Sequence, residues 1–438
     1  MNQSKISALT DYVNQFMEEH NVPGLSIAIS HQGEVIYQNG FGVRDHDRKE
    51  PVTPETLFGI ASVSKSFAAV AIMQLVAEGK LSVDDPVSRY VPSFRIGGKI
   101  NADRIKIRHL LSHTSGVPPL LRREELTKLN DHLAYLGDLD IDSLGEPGEY
   151  FSYCNDMFLL LGAIIERVTG RLFRRYVTEQ LLEPLHMHRS TFSLEEVARL
   201  HNVSVPYVQK GNKQVEPAPW PALGNYEVGG GIRSNVLDLM QYGQIFVNAR
   251  QYQEKEIASE SLLRSMWQPV HRLTRNAWYG YALRMVPDYS GVTLVEHGGG
   301  QPGVSSNFGF VPEKGLVVAV LCNLDNVPIR NVWLAAVNAA LELPLDQKDG
   351  EEPSYEASKE ELDRLVGTYQ SAEGGNLRLF QRDGIPVADV AGTEFELRAS
   401  GSDTLVFLQN GSPLRFFFKA ERQAWAVLLG MRMLVRAK

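Results

Sequence analysis

A serine and a lysine stand three positions apart in the segment Ser62-Val63-Ser64-Lys65. Residues three apart share one face of a helix, so the Ser62 hydroxyl and the Lys65 amine should lie side by side. A serine hydroxyl becomes an effective nucleophile only when a base takes its proton, and burial lowers the pKa of a lysine so that it can act as that base. The pair predicts acyl-transfer chemistry, although both residues are common and the spacing alone carries little weight.

The residues that follow strengthen this prediction. The stretch 63–78 is rich in Ala, Met, Leu and Gln, is apolar nearly all round, and precedes Gly79, which can end a helix. Such a helix should be deeply buried. A solvated lysine after a helix-capping serine would explain the motif without chemistry. A buried lysine without a role would be costly, so burial favours function.

A phenol and an amide alternate in Tyr153-Cys154-Asn155, after a Pro-Gly turn and before the apolar segment DMFLLLGAII. Tyr153 could relay protons between Ser62, Lys65 and a leaving group, and Asn155 could bind a substrate amide and hold the lysine. A packed tyrosine followed by an asparagine at a helix start explains the same pattern. This motif therefore does not decide the matter by itself.

The segment His297-Gly298-Gly299-Gly300 separates two strand-like runs, TLVE and SSNFGF. Glycines at this place let a substrate backbone lie close to a strand edge. Free N–H groups there could complete an oxyanion hole. The plain alternative is a flexible hairpin turn with an incidental histidine.

Other motifs favour structural roles. His109 and His113 are four apart, but the glutamate of a zinc H-E-x-x-H motif is missing between them. Gly229-Gly230-Gly231 lacks the Lys-Ser/Thr of a phosphate loop, which favours a tight turn. No G-x-S-x-G elbow is present. We therefore expect neither a metal nor a cofactor.

The order of elements predicts how the motifs come together. An amphipathic helix and a β-hairpin precede the apolar helix at 63–78, and residues 81–224 are mostly helical with loops. Strand-like runs return from YGYALRM to LVVAVLCN before a last helix, RNVWLAAVNAALEL. This order predicts an α/β (α+β) fold, with an antiparallel sheet flanked by helices and an all-helical subdomain.

A change of composition marks a second domain. Residues 345–354 are almost entirely polar or turn-forming, which is typical of a linker. Beyond it, short strand-like runs alternate with turn residues, as in a small antiparallel β-barrel. The predicted domains are 1–344 for the catalytic part, with its helical subdomain at about 81–224, and 361–438 for the barrel, joined by a linker at 345–360.

Charge and composition narrow the partners. A formal net charge of -8 and the absence of a basic run argue against nucleic acid. Two cysteines are too few for a disulfide framework. The start MNQSKISALTDYVNQF lacks the features of a secretory signal, and no window reaches the roughly 20 apolar residues of a membrane span. These features predict a cytoplasmic protein without a membrane span.

Together the three motifs stand in an order that resembles the penicillin-recognising serine hydrolases, which include class C β-lactamases, DD-peptidases, class VIII esterases and D-amino-acid peptidases. Flanking segments match as well, among them LFGIASVSKSF, IRHLLSHTSGVP, PGEYFSYCNDMFLLLGAIIERVTG and EHGGGQPGVSSNFGFVP. The likeness spans roughly residues 8–340. The tail from about 362 resembles, more weakly, the lipocalin-like C-terminal domains of some D-aminopeptidases and CubicO-group peptidases, with VGTYQS as its best local match.

The resemblance implies a role for each motif residue. Ser62 would be the acylated nucleophile, Lys65 its base and Tyr153 a second acid/base, with the dominant base left open. The oxyanion hole would consist of backbone N–H groups of Ser62 and Gly300. The implied substrate contacts are Asn155, His297, Gly298 and Gly299.

Two departures from the family pattern bear on the substrate. His297 stands where β-lactamases and transpeptidases commonly have a lysine for the substrate carboxylate, and Gly298-Gly299 replaces Thr-Gly, which removes a hydroxyl contact. Efficient penicillin hydrolysis is therefore not expected. We expect a peptidase or amidase on short or D-residue-containing peptides, with carboxylesterase or weak β-lactamase activity as alternatives. A sensor that keeps its acyl group without turnover, and an inactive scaffold, are the alternatives of another class. A small acyl substrate and a homo-oligomer are the expected partners.

Overall fold

The computed structural model describes residues 1–98, 100–211, 214–248, 257–420 and 422–437. The helices are α1 (Gln3–His20), α2 (Ser64–Ala77), α3 (Ile107–Leu111), α4 (Leu129–Asp138), α5 (Asn155–Phe158), α6 (Leu160–Thr169), α7 (Phe173–Val177), α8 (Leu194–Val197), α9 (Glu227–Gly230), α10 (Val236–Val247), α11 (Glu260–Ser265), α12 (Arg330–Ala340) and α13 (Lys359–Leu365). Among the described residues, no helix combines the length and apolar character needed to cross a membrane.

The strands before the linker are β1 (Gly24–His31), β2 (Glu34–Asp45), β3 (Glu50–Pro51), β4 (Phe58–Gly59), β5 (Tyr207–Lys210), β6 (Gln214–Pro217), β7 (Arg233–Ser234), β8 (His271–Arg272), β9 (Trp278–Tyr279), β10 (Arg284–Tyr289), β11 (Val292–Gln301), β12 (Val304–Val311) and β13 (Leu316–Cys322). Those after it are β14 (Gly367–Gln370), β15 (Asn376–Arg382), β16 (Ile385–Val390), β17 (Thr393–Gly401), β18 (Thr404–Phe407), β19 (Pro413–Phe417), β20 (Ala426–Leu429) and β21 (Arg432–Arg436).

A nine-stranded antiparallel sheet, in the order β3-β2-β1-β13-β12-β11-β10-β9-β8, forms the centre of the larger part of the chain. Alternate residues of β13 face opposite sides: Val317 and Ala319 enter one apolar core with α2 and α10, whereas Val318 and Val320 enter the other with α1 and α12. This period of two is what a strand buried on both faces requires. The predicted antiparallel sheet flanked by helices is confirmed.

Helix α2 lies in the apolar core on the face of the sheet that Val317 and Ala319 enter. Its residues from Ser64 to Leu75 are all buried, so the expectation of a buried helix is confirmed. The region predicted to be helical contains α3 to α8, but the hairpin β5–β6 interrupts it. The glycine-rich stretch near 230 forms the short helix α9 rather than a tight turn, and α9 packs against α2.

Strands β14 to β21 close into an eight-stranded antiparallel barrel around its own apolar core, which confirms the expected C-terminal barrel. Of the predicted barrel range 361–438, residues 421 and 438 lie outside the described residues. The linker is fixed to the sheet by ion pairs. Asp349 pairs with Arg284 at 2.7 Å and with Arg330 at 2.9 Å, and Glu296 on β11 pairs with the same two arginines.

Candidate active site

The serine and the lysine of the first motif lie beside each other. Ser62 occupies a 3₁₀ turn, Ala61–Val63, that leads directly into α2, and its Oγ atom lies 3.3 Å from Lys65 Nζ. Ala61, directly before the serine, has a φ of 44°. A non-glycine residue in this left-handed region costs on the order of 1–3 kcal/mol. The fold therefore holds Ser62 at a strained turn, and Lys65 is 1% exposed beneath it.

Burial changes the acid–base character of Lys65. Removal of its ammonium from water lowers the pKa of Lys65 well below 10.5, and the guanidiniums of Arg122 and Arg432 lower it further. A buried amine of this kind can be neutral near physiological pH. Its nitrogen then has a lone pair that can accept the proton of Ser62.

Gly229 on α9 closes the other side of the lysine, a contact that the sequence reasoning missed. Its carbonyl oxygen accepts a hydrogen bond from Lys65 Nζ at 3.0 Å. A Cβ atom at this position would lie 2.7 Å from the same Nζ. The sequence held no signal for this contact, because the three glycines 229–231 were interpreted as a tight turn and only the structure shows the helix α9.

Tyr153 brings a phenol to the same place from a distant loop. The Lys65 Nζ atom lies 4.9 Å from the centroid of its ring, and Tyr153 is 3% exposed. Burial raises the pKa of Tyr153 above 10, while the Ser62 hydroxyl near it acts to lower that pKa. Among the described residues, the Tyr153 hydroxyl has no partner of regular hydrogen-bond geometry. A buried hydroxyl without a partner is unusual and points to a functional position.

His113 supports the tyrosine, although the sequence favoured no role for it. Its ring stacks on Tyr153 with centroids 4.0 Å apart, and its Nδ1 atom accepts the backbone N–H of Cys154 at 3.3 Å. Burial lowers the pKa of His113 well below 6.5, and Lys65 and His297 lower it further. The neutral imidazole therefore carries its proton on Nε2, which has no partner in the described part of the chain.

The third motif lies at the end of strand β11. The His297 side chain is buried, with Nε2 3.0 Å from the Tyr279 hydroxyl and Nδ1 2.6 Å from the Gly298 carbonyl oxygen. Burial, followed by the charge of Lys65, lowers the pKa of His297 to about 4. At neutral pH this residue is uncharged, so it supplies no cation for a substrate carboxylate.

The glycines after His297 bring β11 against the turn that carries Ser62. A Cβ atom on Gly299 would lie 2.4 Å from the Ile60 carbonyl oxygen, whereas one on Gly300 would meet nothing within 4 Å. Gly300, the next residue along β11, is exposed and faces open space. Asn155, the first residue of α5, is half-buried.

The remaining candidates have structural environments. Cys154 is a free, buried thiol, and burial raises its pKa, which disfavours the nucleophilic thiolate. His109 accepts the Lys106 backbone N–H as part of the first turn of α3. No group of three or more metal-ligating side chains occurs within the described ranges.

Comparison with known proteins agrees with the fold. A family model described as Beta-lactamase matches residues 9–342. Protein flp of Staphylococcus aureus (strain NCTC 8325 / PS 47) is 34% identical over 209 residues, which cover 46% of this chain and 41% of that protein. The match thus spans less than half the length of flp. The mitochondrial serine beta-lactamase-like protein LACTB of Mus musculus is 25% identical over an aligned region of 455 positions. This region covers 78% of this chain and 81% of that protein.

Two solved structures resemble almost the whole chain. The octameric penicillin-binding protein homologue from Pyrococcus abyssi has a TM-score of 0.74 and 28% identity, covering 98% of this chain and all of that one. SurE has a TM-score of 0.77 at 22% identity, covering 99% of both chains, a likeness of fold alone. The sheet, the buried helix and the Ser-Lys turn define a protein of the β-lactamase fold. The chain belongs to the beta-lactamase family.

Proposed function

We propose that this chain hydrolyses small acyl compounds through a covalent intermediate on Ser62. The observation that carries the proposal is the 3.3 Å separation between Ser62 Oγ and Lys65 Nζ, in a site where the lysine is buried and its pKa is lowered. Nucleophile and base within hydrogen-bond reach are the signature of an activated serine.

In the proposed acylation, Ser62 Oγ attacks the substrate carbonyl carbon and its proton passes to the neutral Lys65 Nζ, directly or through the Tyr153 hydroxyl as a relay. The backbone N–H groups of Ser62 and Gly300 stabilise the negative charge on the carbonyl oxygen. The C–N or C–O bond then breaks, and the leaving group takes up the proton. Water then attacks the ester carbonyl carbon and gives one proton to the same relay. The bond between that carbon and Ser62 Oγ breaks, Oγ takes the proton from the relay, and the carboxylic acid leaves.

Residues at the rim of the site would recognise the substrate. In this proposal the half-buried Asn155 amide binds the substrate amide, and the edge formed by His297, Gly298 and Gly299 lies along the substrate backbone. The neutral His297 cannot replace a lysine that grips a β-lactam carboxylate. We therefore rank short or D-residue-containing peptides and amides first, carboxylic esters second and β-lactams third.

A substrate panel tests this ranking. The purified chain and its Ser62→Ala variant are compared on D- and L-aminoacyl p-nitroanilides, p-nitrophenyl esters and nitrocefin. The proposal predicts turnover that depends on Ser62, highest on the anilides. Turnover of nitrocefin far above the others would reverse the ranking. A stable Ser62 adduct with no product would instead favour the acyl-keeping sensor.

The likeness to an octameric homologue also supports a proposal about assembly. We infer that this chain forms a homo-oligomer, because the Pyrococcus abyssi structure described as octameric covers 98% of the chain. Light scattering coupled to gel filtration measures the mass directly. A single species of about 49 kDa at micromolar concentration would contradict the inference.

A further inference from the structure

The turn between β20 and β21 of the barrel contacts the loop that carries Tyr153. The Tyr153 backbone N–H donates to the Met431 carbonyl oxygen at 2.8 Å, and the Met433 N–H donates to the Ser152 hydroxyl at 3.1 Å. Two hydrogen bonds therefore join two adjacent residues of the loop to the turn and to the start of β21. They fix the backbone of the candidate proton relay to the barrel.

Arg432, between these two barrel residues, extends over the tyrosine. The carbon at the centre of its guanidinium lies 5.1 Å from the centroid of the Tyr153 ring. Glu373, also on the barrel, binds the guanidinium with both carboxylate oxygens, at 3.2 Å for Nη2 and more closely for Nε. The side chains of Arg432 and Glu373 are 36% and 20% exposed. A two-pronged ion pair of this kind restrains the arginine in one orientation.

Apolar packing surrounds the same contact. Side chains from the catalytic part and from the barrel form one buried cluster. Its buried members are Leu144, Phe151, Tyr153, Leu273, Tyr279, Ala426, Leu428 and Met433. Because Tyr153 is itself a member, movement of the barrel would disturb the relay directly.

We infer that Arg432 is a positioning residue for the hydrolysis proposed above: held by Glu373, it fixes the orientation and the charge environment of Tyr153. The inference rests on the proposed function, since it concerns the same site. It makes the barrel a working part of the active site, and the ion pair Arg432–Glu373 the element through which the barrel acts.

Several charged or titratable groups surround the Tyr153 phenol. Lys65 approaches from α2, and His113 stacks on one side of the ring. His297 and Tyr279 lie toward the sheet. The other charged groups that act on it are Arg122 and the Arg432–Glu373 pair, and the neighbouring Cys154 thiol is neutral.

The two partners of the pair act in opposite directions. Burial raises the pKa of Tyr153, the charge of Arg432 lowers it and the charge of Glu373 raises it. Arg432 and Glu373 act on the pKa of Lys65 in the same two directions. The predicted shifts therefore have the same sign whichever residue is the dominant base.

The test is the pH dependence of kcat/KM for a p-nitrophenyl ester, measured on the full chain. Arg432→Gln should move the limb that requires a deprotonated base to higher pH, by about one unit. Glu373→Gln should move the same limb to lower pH. Arg432→Lys, which keeps the charge, should restore most of the original profile. Arg382→Gln is the matched control, because it breaks an exposed ion pair of the barrel, 2.8 Å from Arg382 to Glu394. It should leave the pH profile unchanged.

Two results would overturn the inference. The first is an equal loss of kcat/KM in Arg432→Gln and Glu373→Gln with no shift of the pH profile. The second is a rise in KM confined to carboxylate-bearing esters, which would make Arg432 a substrate-binding group. Thermal unfolding of each variant checks that the fold persists. If Arg432→Gln does not fold, Glu373→Gln, with its predicted shift of the limb to lower pH, tests the inference alone. Failure of the proposed function is seen separately, as undiminished hydrolysis by Ser62→Ala.

Discussion

Lys65 Nζ lies 3.3 Å from Ser62 Oγ, and the same nitrogen donates to the Gly229 carbonyl oxygen at 3.0 Å. A neutral amine has two N–H groups and one lone pair. When one N–H points at Gly229, the lone pair is available to accept the Ser62 proton. This geometry supports the proposed role of Lys65 as a base, and the lowered pKa of Lys65 makes its neutral form accessible.

Replacement of Lys65 by arginine tests this role. Lys65→Arg keeps a positive charge but introduces a group that does not lose its proton, so the base is lost. We expect kcat to fall by roughly 10²–10⁴-fold, the usual contribution of a general base. Steady-state hydrolysis of a p-nitrophenyl ester measures the effect. Lys80→Arg, at an exposed lysine paired with Glu78, is the control and should retain full activity.

Removal of the Tyr153 hydroxyl should separate activity from stability. This buried hydroxyl lacks a partner among the described residues, so Tyr153→Phe should leave the melting temperature unchanged or raise it. The free energy of unfolding should rise by at most about 1 kcal/mol. Activity should fall by about 10²-fold or more. The matched variant is Tyr242→Phe, whose hydroxyl donates to Ser66 at 3.0 Å. It should lose about 1 kcal/mol and keep its activity. Full activity in Tyr153→Phe would exclude the relay.

Two adjacent glycines of α9 offer a steric test. A methyl group on Gly229 would lie 2.7 Å from Lys65 Nζ, whereas one on Gly230 would meet its nearest atom, on Leu223, at 3.6 Å. Gly229→Ala should therefore displace the lysine and reduce kcat by about tenfold or more, since a displacement near 1 Å can cost about 10²-fold. Gly230→Ala should have the same kcat as the unchanged chain. Similar kinetics in both variants would show that Lys65 does not need this neighbour.

The linker ion pairs predict a specific dependence of stability on pH. Burial opposes ionisation of Asp349, but the Arg330 and Arg284 guanidiniums outweigh it and lower the pKa of Asp349 to about 2. A carboxylate with a depressed pKa contributes stability above its unfolded pKa, near 3.9, and loses that contribution as the pH falls toward 2. The contribution at pH 7 is about 2 kcal/mol, and about half of it should be lost by pH 3.

Urea unfolding of Asp349→Asn and of the unchanged chain between pH 7 and pH 3 measures this contribution. The gap between their free energies of unfolding should be widest at pH 7 and narrow as the solution is acidified. Asp383→Asn, at an exposed turn of the barrel, is the control. A gap that stays constant over this range would mean that Asp349 is not held ionised by the arginines.

The sequence predicted those features that depend on local pattern. The spacing of Ser62 and Lys65 and the all-apolar character of α2 follow from helical periodicity, and the structure confirms both the proximity and the burial. The antiparallel sheet and the barrel were also readable, because their strands alternate with turn residues. The predicted stretch began at residue 63, whereas α2 begins at Ser64, because Ser62 and Val63 lie in a 3₁₀ turn before it.

The contacts that the sequence could not predict come from distant segments. Arg432 reaches Tyr153 from 279 positions along the chain, and Gly229 reaches Lys65 from 164 positions away. No periodicity links such residues, because only the packing of the barrel and of α9 brings them to the site. His113 was assigned only a structural role for a related reason: the glutamate of a zinc H-E-x-x-H motif is missing, and nothing local indicated a stack against Tyr153.

The most direct test of the account is the intact mass of the protein after brief exposure to a p-nitrophenyl ester, with peptide mapping of any adduct. We predict a mass increase equal to one acyl group, located on Ser62 and absent from the Ser62→Ala variant. An adduct on another residue, or hydrolysis that continues undiminished in Ser62→Ala, would contradict the claim that this serine is the nucleophile.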